Sequence, residues 1–295
     1  MNIGSVLETE IHRLLIGEST FGHIFESIMP AVKTLYVRSN NLDDLLARPR
    51  VAIVGSRRIS PYGKAVTEQF AGDLAKQGIV IVSGLAYGVD AVAHQAALDA
   101  GGLTVAVLPS SIEKIYPTAH TNLARRIVEQ GGALISEYPA GATIAWKNQF
   151  VGRNRIVSGM SNALLITEAA DNSGTMHTAR FALEQGKDVL AIPGNITSEV
   201  SKGTNNLIKA GAAPATSPAD VLHVLGLTAI PNKPAVHGST IQEQMLLNLL
   251  SENINDGQEL LSRSQLPISE FNQALTMMEL TGKIRALGSN QWATR

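Results

Sequence analysis

Apolar residues along this chain fall into short unbroken runs separated by longer amphipathic stretches. The runs VAIV (51–54), IVIVS (79–83), LTVAVLP (103–109), ALIS (133–136), ALLIT (163–167) and DVLAIPG (188–194) have the length and continuity of strands buried on both faces. Between them the spacing turns helical. One helix is predicted through Val66, Phe70 and Leu74 and stops at Gly78; VDAVAHQAALDA stops at Gly101; others lie around TNLARRIVEQ, from Met176 to Gln185, and around NNLIKAG. Ser60-Pro61 and Ser217-Pro218 each supply an N-cap followed by a first-turn proline. Strand and helix alternating at this rhythm predict an α/β domain, a mainly parallel sheet with helices on both faces, over residues 45–226.

The flanks read differently. Residues 5–29 carry helical spacing with Thr20 as an N-cap and Pro30 as a stop, so residues 1–44 are expected to form a short helical N-terminal segment. Residues 227–238 hold Pro231 and Pro234 without periodicity and suit a linker. Residues 239–295 show helical segments at 240–252, 257–263 and 269–281, then a hairpin turning near Gly288, Ser289 and Asn290: a small winged-helix-like domain. Such domains suggest DNA binding through the third helix, SEFNQALTMMEL. That helix has no Lys or Arg, and Glu243, Glu252, Asp256, Glu259, Glu270 and Glu279 outweigh Arg263, Lys283, Arg285 and Arg295. Without the cation that dominates groove affinity, a protein-contact or structural role is favoured.

Composition narrows the function. The 295 residues are 44% hydrophobic and 17% charged, as in ordinary globular proteins, and the net charge is −1, so any polyanion site must be local. There are no cysteines, which excludes disulfides, zinc–thiolate sites and cysteine nucleophiles. No apolar run is long enough to span a membrane and no secretory leader pattern is visible, so a cytoplasmic protein without membrane insertion is expected.

The local site is visible as two acid-free windows. From Tyr138 to Thr167 no Asp or Glu occurs, yet Lys147, Arg153 and Arg155 lie close together with Phe150 among them. Uncompensated cations attract phosphates and a ring offers a face for a base, worth about 1–3 kcal/mol per base. Aromatic residues are only 4% of the chain, which makes that ring more telling. From Leu45 to Thr67 a second window holds Arg48, Arg50, Arg57, Arg58 and Lys64, and Gly55, Ser56, Arg57 and Arg58 form the turn after the first buried strand. Both windows are read as basic loops at strand carboxyl ends, where open parallel sheets bind ligands. Arg58, Gly84, Ser173, Gly174 and Thr175 are further candidate phosphate contacts, the last three opening a helix whose first N–H groups are free to bind an anion.

Other chemistries lack support. Gly55 to Lys64 has the wrong glycine spacing for a phosphate loop, and Ala65 stands where a metal-binding hydroxyl belongs. No dinucleotide fingerprint follows VAIV, and no histidine pair has ligand spacing, so no cofactor and no metal are expected. His94 and His177 fall on predicted helices and suit packed or capping roles, and Ser83 and Ser173 lack a nucleophile elbow.

Taken in order, VAIVGSRRISPYG, SGLAYGVDAVAHQAAL, RNRIVSGMSNALLITEAADNSGTMHTA and AIPGNITSEVSKGTNNLIKAGA resemble the DNA-processing protein A (DprA, or Smf) family over about residues 35–226, with a weaker likeness in the C-terminal region. The resemblance implies an extended Rossmann-like domain that binds single-stranded DNA. It also implies a homodimer that protects the strand and loads a RecA-type recombinase in natural transformation, without catalysis. It makes Gly55, Ser56 and Arg57 a phosphate-binding loop, Lys147 and Phe150 a cation and stacking ring, and Arg153, Asn154 and Arg155 the RNR segment. Departures are Val151-Gly152 where a proline is common, and SGTMHTA for the usual SGSLITA, which leaves His177 without a role. One rival is a phosphoribohydrolase-like enzyme on the same fold, but Thr178 occupies the position of its catalytic glutamate. Another is a nucleotide-sensing module.

Overall fold

In a computed structural model, residues 10–142, 146–228, 238–251, 254–288 and 290–294 are described. The chain divides into two compact units, Met1–Ile230 and Pro231–Arg295. The expected linker lies mostly outside the described residues.

The first unit runs β1 (Ile11–Leu15), β2 (Thr34–Arg38), α1 (Leu42–Ala47), β3 (Arg50–Val54), α2 (Pro61–Lys76), β4 (Val80–Ser83), α3 (Val89–Asp99), β5 (Thr104–Val107), α4 (Thr121–Glu129), β6 (Ala133–Ser136), α5 (Trp146–Gly159), β7 (Ala163–Ile166), α6 (Thr175–Glu184), β8 (Asp188–Ala191), α7 (Lys202–Lys209), β9 (Ala213–Pro214) and α8 (Pro218–Val224). Among the described residues these strands form one nine-stranded sheet in the order β1-β2-β6-β5-β4-β3-β7-β8-β9. Strands β3 to β9 pair in parallel, whereas β2 meets β6 antiparallel and β1 meets β2 antiparallel. The chain grows outward from β3 through β4, β5 and β6, then returns to β7 on β3's other side. This reversal is a topological switch point.

The unbroken apolar runs now have their cause. Val51 and Ile53 face one core with Phe70, Leu74, Ala93 and Val221, while Ala52 and Val54 face the other with Ile156, Met160 and Ala179. The central strands are therefore apolar at nearly every position, and the buried hydroxyls of Ser83, Thr104 and Ser136 are each bonded to a carbonyl.

The N-terminal expectation is corrected. Residues 11–15 form a strand, and residues 16–18 and 22–25 form short 3₁₀ turns, not a helix. Ile24, Phe25 and Ile28 are buried in the same core as β3 and α5, so the apolar residues pack as their spacing required. Pairing of Ile11–Leu15 with β2 satisfies a row of backbone groups that a lone short helix could not outbid.

His94, on α3, is fully buried, as a packed histidine should be. Its Nδ1 lies 2.6 Å from the Thr104 hydroxyl, which itself donates to the Ile81 carbonyl, so Nδ1 is the donor. Nε2 has no partner among the described residues. Burial, with Arg153 and His120 nearby, pushes its pKa down to about 3. The unfolded chain takes up this proton near pH 6.5 and the folded one does not, so the stability is complete above pH 6.5 and falls with acidification. About 2 kcal/mol is lost by pH 5. His94→Gln is expected to shrink the difference between urea unfolding free energies at pH 8 and pH 5; identical pH dependence in both proteins would refute the assignment.

The second unit contains α9 (Ile241–Ser251), α10 (Gly257–Ser264), α11 (Ile268–Leu280) and the hairpin β10 (Ile284–Gly288) and β11 (Gln291–Thr294). Leu246, Leu250, Leu260, Phe271, Leu275, Met278 and Ile284 close its core. A largely buried ion pair, Lys283 Nζ to Glu243 at 2.5 Å, ties the start of β10 to α9. Among the described residues of the whole chain, no helix is long and apolar enough to cross a membrane.

Candidate nucleic-acid interface

Three loops at the carboxyl ends of β3, β4 and β5 meet the first turns of α5. Arg57 comes from the first loop, Gly84, Ala86 and Tyr87 from the second, and Pro109, Tyr116 and Pro117 from the third. Phe150 and Arg153 come from α5, and together these residues enclose a cavity of about 30 Å³ whose lining contains no carboxylate. The Arg57 guanidinium lies 5.1 Å from the centroid of the half-buried Phe150 ring. Tyr116 meets that ring edge-on, with centroids 5.5 Å apart and planes at 70°. Tyr87 is half exposed and packs edge-on against His120 at 4.9 Å. Two basic windows about a hundred residues apart in sequence thus converge beside a ring.

The second window is a helix, not a loop. Residues three or four apart share a helical face, so α5 sends Phe150 and Arg153 toward the cavity and turns Arg155 away. Lys147 lies in the first turn of α5, and its side chain is outside the described residues. Asn154 is half buried and accepts from Arg153 Nε at 3.1 Å.

Arg153 and Arg155 are not solvated groove arginines. Arg153 is 4% exposed, and its Nη1 donates to the carbonyls of Gly84 and Val107, where β4 and β5 end. Burial pulls its pKa down to about 10, opposed by the charge of Asp90. Asp90 is itself buried, which pushes its carboxyl up, opposed by Arg153 and by N–H bonds from Ala86 and Gly84. Arg155 is 7% exposed and makes two bonds to Glu137, at 2.7 and 2.8 Å. Its charge is already matched.

The phosphate-loop expectation is corrected in the same way. The Ser56 N–H donates to the Glu168 carbonyl at 2.7 Å, its carbonyl accepts from Val89, and its hydroxyl bonds within the turn to Arg58. A side chain at Gly55 would collide with the Glu168 backbone and Val89, so this glycine serves close packing. The Glu168 carboxylate accepts from the Ser60 N–H at 2.8 Å and its hydroxyl at 2.5 Å. It thereby supplies the negative charge that the start of α2 favours. The crevice between β3 and β7 is thus occupied by the protein's own carboxylate, and the outward-facing cations of this loop are the exposed Arg57 and Arg58.

The remaining candidates divide. Gly84 has its N–H on Asp90 and its carbonyl on Arg153, leaving nothing for a phosphate; it is a glycine because a Cβ would overlap that guanidinium. Thr175 is buried, with its hydroxyl on the Gly55 carbonyl and its N–H on the Ser173 hydroxyl. Gly174 is exposed and Ser173 half buried at the start of α6. Thr178 is buried and His177 is exposed on the same helix. Residues that sequence reasoning missed are Tyr87, Tyr116 and Asp90. The rarity of aromatic residues at strand-end turns was an available signal for the two tyrosines; nothing in the sequence paired Asp90 with Arg153.

These features define a Rossmann-like α/β protein with a cationic and aromatic surface beside the switch point, joined in sequence to a winged-helix unit. The family model for DNA recombination-mediator protein A matches residues 12–226, and that for the DprA winged helix domain matches residues 230–290. The chain belongs to the DNA recombination-mediator protein A family. It is 40% identical over 247 residues to Protein Smf of Escherichia coli K12, covering 81% of this chain and 66% of that protein. It is 41% identical over 179 residues to the DNA processing protein DprA of Streptococcus pneumoniae R6, covering 61% and 62%. The chain thus spans a little under two thirds of the length of these relatives. The crystal structure of Streptococcus pneumoniae DprA superposes with a TM-score of 0.68 at 37% identity, covering 74% of this chain and 75% of that one. The structure of DprA from Helicobacter pylori, described for its single-stranded DNA binding mode, superposes with a TM-score of 0.65 at 33% identity, covering 74% and 96%.

Proposed function

We propose that this chain binds single-stranded DNA in the trough around Phe150 and, as a homodimer, hands the strand to a RecA-type recombinase. The observation that carries the binding is the Arg57–Phe150 pair, an exposed cation lying on a half-buried ring in a cavity lined without carboxylates. A relative whose structure is described for single-stranded DNA binding supports it. At about 30 Å³ the cavity is too small for a base, so Arg57 swings from the ring to a phosphate as a base takes its place. Duplex DNA keeps its base faces stacked, and single strands are therefore preferred. Arg153 acts from below by fixing the loops.

With Arg153 buried and Arg155 paired, the cations assigned to phosphates are Arg57, Arg58 and Lys147. Three neutralised phosphates give a log–log salt slope of about −2 for single strands. Fluorescence anisotropy of labelled single- and double-stranded oligonucleotides across a salt series tests this. Equal affinity for both, or a flat salt response, would overturn the reading. Analytical ultracentrifugation and a strand-exchange assay with a RecA-type recombinase test the dimer and the handover. In the second unit, α11 exposes Ile268, Met277 and Leu280 and carries no cation, which supports protein contact over groove reading.

A further inference from the structure

At the opposite end of β3 from the trough lies a second cavity, of about 510 Å³. That is within the usual range for small-ligand sites. Its lining combines apolar residues, Phe21, Ile24, Val224 and Leu225, with polar ones, His23, Arg48, Arg50 and Asn162. Arg50 is 6% exposed. Its Nε donates to the Met160 carbonyl at 2.6 Å, and its Nη1 to the carbonyls of Leu46 and Arg48. Those acceptors are neutral, and Nη2 has no protein partner among the described hydrogen bonds. Burial lowers the Arg50 pKa with no carboxylate opposing it, and Lys187 is lowered partly by this same guanidinium. The cavity lining holds no Asp or Glu, and Asp44, six residues before Arg50, is bonded to Arg48. A buried cation left without a counter-charge is costly, and here it sits at the wall of an open cavity.

We propose that this cavity is a second anion site, for a phosphomonoester carried on an apolar body, the chemistry of a nucleoside monophosphate. The phosphate would sit against Arg50, with Arg48 and the Asn162 amide beside it, and the flat body against apolar lining residues such as Phe21 and Val224. The site is independent of the trough, since none of its lining residues is shared.

Asn162→Asp is the discriminating variant. Asn162 Oδ1 accepts the Arg50 backbone N–H at 2.8 Å, and an aspartate oxygen keeps that bond while placing a negative charge beside the guanidinium. Adenosine monophosphate and inorganic phosphate are titrated into the full chain at constant ionic strength, reading melting temperature and heat. Wild type is expected to gain a saturable stabilisation from adenosine monophosphate. Asn162→Asp is expected to bind at least about tenfold more weakly without losing stability of its own. Arg57→Ala is expected to bind as wild type does. A 5′-phosphorylated dinucleotide compared with its 5′-hydroxyl form distinguishes a strand end from a free nucleotide, and tighter binding of the phosphorylated dinucleotide than of adenosine monophosphate would overturn the small-ligand assignment. No stabilisation of wild type, equal binding by Asn162→Asp, or loss in Arg57→Ala alone would overturn the site.

Discussion

Arg153→Met is expected to lower the stability of the first unit by about 3–5 kcal/mol, since two buried hydrogen bonds from a charged donor are lost at about 1.5–3 kcal/mol each. The variant leaves the carbonyls of Gly84 and Val107 without their donor and removes a nearby positive charge that favours the buried Asp90 carboxylate. For a unit of this size the melting temperature should fall by roughly 10 °C. Adding Asp90→Asn keeps an oxygen to accept from the Gly84 and Ala86 N–H groups while removing the stranded charge. The double variant should therefore be more stable than the sum of the two singles by about 1–2 kcal/mol. Strict additivity in urea unfolding would show that Asp90 is not the counter-charge. A solvated groove arginine predicts the opposite pattern: normal stability and weakened DNA binding.

Phe150→Ala has the largest expected effect on binding. Loss of one stacked base costs about 1–3 kcal/mol, a five- to 150-fold weaker single-strand affinity. Because no charge is removed, the salt slope should not change. Arg57→Ala should both weaken binding and flatten the slope by about 0.7. Phe150→Trp preserves a stacking face and should retain most of the affinity. If Phe150→Ala binds an oligothymidine as wild type does, the ring is a packing element for Tyr116 and Arg57 alone.

Much of the scaffold was legible in the order of residues. A strand buried on both faces must be apolar throughout, so VAIV, IVIVS and ALLIT announced the parallel sheet, and Ser60-Pro61 announced the start of α2. The N-terminal strand was not legible: Ile11–Leu15 has no pattern of its own that outranks a helix, and its identity comes from the edge that β2 offers. Helix α5 hid for another reason. Its core-facing positions are interrupted by the cavity-facing Phe150 and Arg153, so this stretch lacks the periodicity of one packed only against a core.

The sequence by itself determined that the chain holds two cationic, acid-free segments, one of them with a ring, because charge and residue type need no neighbours to be counted. Only the tertiary structure decided which cations are free. Arg153 and Arg155 look identical to Arg57 in one dimension, but two strand-end carbonyls hold the first in a buried place near Asp90, and Glu137 pairs with the second. Burial and pairing are properties of three-dimensional neighbours, and they divide structural arginines from those left to meet a ligand.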